Sequence, residues 1–183
     1  MQNSSLARRL FLTATVVSIV VLALVGLLLS TLYRSSVERS FDRRLNVYLK
    51  TIVADVAVAT DTLAEPSPLG EPLFDQPLSG WYWQITRISG DKVEVKSSRS
   101  TPETGLPALA SPAEVENLGG YSEGYVDGPE GQRLRVVQRI VDLGEDGRFV
   151  VSVAGDSYEI DDDSNDFNDA LLVTFACLGL AFV

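Results

Sequence analysis

Seven of the fourteen residues from Asp156 to Asp169 are acidic, and an apolar run follows them directly. On a helix, Glu159, Asp162, Asp163 and Asp166 fall at i, i+3, i+4 and i+7 and share one face, while Ile160, Phe167 and Leu171 occupy another. Carboxylates in that pattern are hard oxygen ligands suited to Mg²⁺ or Ca²⁺, and a cation held there would also bridge to anionic lipid headgroups. It would relieve like-charge repulsion, so its loss would shift the helix against the membrane and could serve as a signal. A plainer reading needs no metal. Acidic residues at a helix start are favoured by the helix dipole, and they hold a segment on the outer side of a bilayer.

Other chemistry is thinly represented. The sequence contains no histidine, which removes His-based zinc sites, Ser-His and Cys-His catalysis, and any phosphoacceptor histidine from this chain. The scattered serines have no base to activate them. The one cysteine, Cys177, has no partner for an intrachain disulfide. Gly119-Gly120 and Gly128-Pro129-Glu130-Gly131 are turn chemistry rather than phosphate loops, since no helix N-terminus with a lysine follows. Trp81 and Trp83 share a strand face with Ile85, and Tyr82, Gln84 and Thr86 share the other. Such an aromatic pair either cradles a ligand or, more commonly, fills a core. No catalytic or cofactor-binding residue is assigned. A net charge of −10 argues against nucleic-acid binding.

The elements that position these residues begin at a membrane. Leu10 to Leu32 is 23 residues without a charge, about 34 Å as a helix and long enough for a hydrocarbon core of about 30 Å. Arg8 and Arg9 precede it and predict a cytoplasmic tail over residues 1–9. A cleaved signal peptide is the rival, but its apolar region is shorter and ends at a small-residue site, which Ser30-Thr31-Leu32-Tyr33 does not offer. The second run, residues 170–183, would reach only about 21 Å. It is either a buried or interfacial helix or, in the preferred reading, the start of a second spanning helix cut in mid-bilayer. Residues 33–169 then lie outside, with 13 basic residues against all 25 acidic ones.

Within this segment Val37, Phe41, Leu45, Tyr48, Ile52, Val56 and Ala59 recur every 3.7 residues or so, close to the helical period. Arg39, Asp42, Arg43, Asn46 and Lys50 fall between them and can face water. No proline or glycine interrupts Leu27 to Thr60, so the membrane helix is expected to continue as one rod to about residue 60. Its apolar seam can pack on its own domain, on a partner's helix, or on both. Residues 64–80 carry four prolines and two glycines and read as an irregular connection. Strands are expected at residues 81–86, 92–97, 121–126, 133–143 and 149–153, with turns at Ser89-Gly90-Asp91 and Glu145-Asp146-Gly147. A short helix over 111–117 has Ser111 as cap and Glu114 three residues on. A long helix, an antiparallel sheet and a returning helix make an α+β arrangement that suits a PAS-like sensor domain.

Ser5-Leu6-Ala7-Arg8-Arg9-Leu10, the apolar anchor, and Val37-Glu38-Arg39-Ser40-Phe41-Asp42 with Leu45 resemble the start of proteobacterial sensor histidine kinases of the PhoQ-like group. Phe74-Asp75-Gln76-Pro77-Leu78-Ser79-Gly80-Trp81-Tyr82-Trp83-Gln84-Ile85 is similar to the phrase with which their sensor sheet begins. Val150 to Gly155, then Ile160-Asp161 and Phe167, resembles their final strand and descent into the second membrane helix. The resemblance covers nearly the whole chain. It implies the periplasmic sensor module of a homodimeric kinase in the bacterial inner membrane that responds to divalent cations, although the acidic surface of those sensors does not align onto 156–169. The HAMP linker, the phosphorylated histidine and the ATP-binding domain that would act on a response regulator are not in these 183 residues, so the resemblance lends no catalytic residue. Other classes remain open: the input domain of a chemoreceptor or cyclase, and a non-signalling, membrane-tethered envelope protein.

Overall fold

The computed structural model describes residues 3–58, 66–88, 94–144 and 147–181. In chain order these form α1 (Asn3–Val58), β1 (Tyr82–Arg87), β2 (Glu94–Ser97), α2 (Pro112–Asn117), β3 (Tyr121–Asp127), β4 (Arg133–Asp142), β5 (Arg148–Asp156) and α3 (Tyr158–Ala181). The chain is α+β, with the strands among the described residues forming one antiparallel sheet ordered β2-β1-β5-β4-β3. It divides into two compact units, Met1–Glu38 with Ile160–Val183, and Arg39–Glu159. The expected turn at Ser89-Gly90-Asp91, most of that at Glu145-Asp146-Gly147, and Ala59 lie outside the described residues.

In the second unit β5 sits at the centre of the sheet, pairing Val153 with Trp83 of β1 on one side and with Val137 of β4 on the other. Its run Phe149-Val150-Val151-Ser152-Val153-Ala154 is buried throughout, as a strand covered on both faces must be. One cover is the outer half of α1, which buries Phe41, Leu45, Leu49, Ile52 and Val56. Each such side chain taken out of water contributes about 1.5–3 kcal/mol. Gly155 makes this approach feasible, because a Cβ there would stand 2.7 Å from Phe41 Cζ. On the opposite face Tyr82, Leu134, Val136 and Ala154 pack with Leu106, with Leu109 and Val126 partly buried against them. The α2 capping box is present as its sequence predicts: Ser111 Oγ accepts from the Glu114 N–H, and the Glu114 carboxylate accepts from the Ser111 N–H.

One expectation is corrected here. Asp42 and Asn46 do not face water: Asp42 is buried, and Asn46 is half-buried with its amide donating to the Tyr121 hydroxyl. The helical seam packs on its own domain, as one of the open readings expected: Phe41 is buried, and Tyr48 is half-buried against Phe74 and Trp81. Leu49, which lies outside the seam, is buried as well.

In the first unit α1 and α3 lie against each other. Tyr33 stacks on Phe167 with ring centroids 4.1 Å apart, and Arg34 donates to Asp161 at 2.9 Å. Farther along, Gly26 lets Phe175 approach so closely that a Cβ would meet its Cε2 at 2.8 Å. From Leu10 to Leu32 the large apolar side chains of α1 other than Leu22 are exposed, and its most apolar 18-residue window has a mean hydropathy of 2.7. Three hydroxyls inside this stretch are satisfied within the helix: Thr13, Thr15 and Thr31 donate to the carbonyls of Leu10, Phe11 and Leu28. That is the arrangement hydrocarbon requires. α1 is a helix long and apolar enough to cross a membrane.

Candidate functional site

One side of the second unit gathers side chains from α1, the proline-rich segment and the start of α3 around Arg44. The Arg44 guanidinium lies 4.3 Å from the centre of the Trp81 ring, within cation–π range. It donates to Glu71 at 3.0 Å and to Glu159 at 3.2 Å. Glu71 also accepts from the Tyr48 hydroxyl at 3.2 Å. Burial works against the Arg44 charge, but Tyr48, Glu71 and Glu159 outweigh it and raise its pKa above the ordinary guanidinium value. It is therefore a permanent cation with two anionic partners. The Glu71 side chain is only 14% exposed and that of Glu159 52%, so the Glu71 pair is the better shielded. The Glu159 pair, open to solvent, is worth about 0.2–1 kcal/mol and is the one that exchanges easily.

Beneath this junction Phe41, Tyr48, Phe74 and Trp81 form an aromatic cluster with neighbouring ring centroids 5.3–6.1 Å apart, the spacing of tilted and edge-to-face contacts. Trp81 is thus core. Trp83, two residues on, has a second role, since it lines a groove of about 650 Å³ with Phe74, Ser98 and the prolines of 66–72. The groove is built on fixed parts. The Trp83 N–H donates to Ser98 Oγ at 3.1 Å, and Ser98 Oγ also meets Ser100 and Thr101 hydroxyls at 2.7 Å. The outer wall is tied to α1, because Ser67 donates from its backbone N–H to Asp55 at 2.7 Å and Glu71 is held by Arg44 and Tyr48.

A separate ion pair locks α1 to the sheet. Arg135 of β4 donates from Nε and Nη2 to the two carboxylate oxygens of Asp42, both at 2.8 Å. Both side chains are 10% exposed. Hydrogen bonding to Asp42 outweighs the opposing effect of burial and raises the Arg135 pKa well above its ordinary value. Glu123 at 3.5 Å and the Tyr125 ring at 4.8 Å complete its surroundings.

The acidic run is distributed rather than convergent. Asp156 ends β5, and its carboxylate accepts from the Tyr158 N–H at 2.9 Å, capping the first turn of α3. Glu159 is paired with Arg44 and Asp161 with Arg34; Asp162, Asp163 and Asp166 are exposed on the helix. Among the described residues no group of three or more acidic, histidine or cysteine side chains is placed to hold a metal ion. The sequence reading overlooked Arg44, Glu71 and Arg135. An arginine inside the apolar stretch Leu134-Arg135-Val136-Val137, and an acid beside the α1 seam, were the available signals for the buried pair. Compared with protein-family models, curated proteins and solved structures, the chain matches none.

Proposed function

We propose that this chain is the extracytoplasmic sensing and transmembrane signalling module of a two-component sensor histidine kinase in the bacterial inner membrane. In this reading α1 spans the bilayer, the apolar end of α3 enters it as the start of a second span, and residues 33–169 form a PAS-like periplasmic domain. The observation that carries it is the continuity of α1 from Asn3 to Val58. One rod supplies both the charge-free stretch 10–32 and the buried seam Phe41–Val56 of the sheet unit. A change in how that seam packs is thereby a change in a membrane helix. The resemblance to PhoQ-like kinases supports the reading, as does a five-stranded antiparallel sheet with a long helix against one face. The close approach of Phe175 to Gly26 supports a paired second span.

Arg44 supplies the physical link for signalling. It holds Glu71 on the groove wall and Glu159 in the first turn of α3, so movement of the wall alters the restraint on the returning helix. The parent kinase would act as a homodimer and pass phosphate to a response regulator through cytoplasmic domains. With the α1 seam spent on its own sheet, a partner would meet another face of the helix. Alkaline phosphatase inserted after Ala110 is expected to be active in intact cells, which requires export. Activity confined to lysed cells would end this reading, and a gene without HAMP and kinase sequence after Val183 would end its kinase part.

A further inference from the structure

We propose that the groove between the 66–75 segment and β1 binds a small zwitterion, an α-amino acid or short peptide with an apolar side chain. The groove's volume of about 650 Å³ falls within the usual range for small-molecule sites, about 300–1,000 Å³. Its lining is mixed: Trp83, Phe74, Pro66, Pro68 and Leu69 stand beside the polar Ser67 and Ser98. Proline's fixed φ lowers the entropy lost on closing around a ligand.

The charges choose the class. Asp75 and Arg99 both line the groove and are exposed. Among the described residues neither is engaged in an ion pair or side-chain hydrogen bond. The remaining charged residue of the lining, Glu71, is already held by Arg44 and Tyr48. One available cation and one available anion, in a lining that also holds aromatic rings and prolines, complement a molecule that carries a carboxylate, an ammonium and an apolar body. A polyphosphate would meet too little positive charge, and a polycationic peptide would meet Arg99. The proposal rests on the sensor reading only for its use: a ligand pressing on the 66–75 wall would act on Glu71 and, through Arg44, on Glu159.

The test is isothermal titration of the full chain in detergent micelles with L-leucine and L-leucyl-L-leucine, each also in its N-acetyl and C-amide forms. Saturable binding of a free form is expected, with a dissociation constant between about 10 μM and 1 mM. Blocking either end should weaken it about tenfold, which corresponds to about 1.4 kcal/mol. Arg99→Ala should abolish the discrimination against the amide, and Asp75→Ala that against the acetylated form. Both sites are on the surface, and unchanged near-ultraviolet circular dichroism will show that the variants fold. Absence of saturable heat up to about 10 mM, equal affinity for blocked and free forms, or wild-type discrimination in both variants would overturn the proposal. Binding in micelles is read independently of topology, so its failure leaves the phosphatase result standing, and the reverse.

Discussion

Replacing Asp42 by asparagine removes the charge that Arg135 needs while nearly preserving shape. In the native unit the guanidinium is 10% exposed and receives two oxygen partners at 2.8 Å. Removing one member of a buried ion pair costs about 3–5 kcal/mol, because the remaining charge stays buried without compensation. Arg135 keeps Glu123 at 3.5 Å, with a side chain 46% exposed, and the Tyr125 ring. These partial substitutes place the loss near the lower end, about 3 kcal/mol. For a unit spanning Arg39–Glu159, each kcal/mol corresponds to about 4 °C, so Tm should fall by about 12 °C. Trp81 and Trp83 are both buried in this unit, so thermal unfolding of the full chain in micelles is readable by tryptophan fluorescence. The double variant D42L/R135M leaves no buried charge and should recover most of the loss. The reasoning fails if D42N lies within about 0.5 kcal/mol of wild type, or if the double variant is as damaged as the single.

Gly26→Leu should force Phe175 away from α1, since even a Cβ would lie 2.8 Å from its ring. Disulfide formation between cysteines placed at Tyr33 and Phe167, with Cys177 replaced by serine, is expected to fall severalfold in membranes, and an unchanged yield would show that the helices do not rely on this contact. Alkaline pH should also destabilise the sheet unit. Burial, the largest cause, raises the Tyr82 and Tyr121 pKa values above the ordinary 10.0, so the neutral phenols favour the folded state. That stability is fully present below pH 10 and is lost as pH rises through the raised folded values. Unfolding midpoints that stay flat from pH 9 to pH 12 would refute it.

Local pattern alone marked out the apolar helix, its continuation toward residue 60, the Ser111 cap and the approximate place of each described strand. These depend on periodicity and on neighbours within a few residues: a charge-free run, a 3.6-residue repeat, a hydroxyl three residues before a glutamate. The strand order could not be read that way, because pairing joins residues such as Trp83 and Val153 whose separation in sequence carries no local signal. The same limit hid the functional features. Asp42 reads as a solvated charge on its own helix and becomes a buried partner only when β4 brings Arg135 beneath it. Arg44 is an ordinary exposed cation until folding sets Trp81, Glu71 and Glu159 around it. Desolvation decides what a charge does, and desolvation is set by the residues that tertiary packing places alongside.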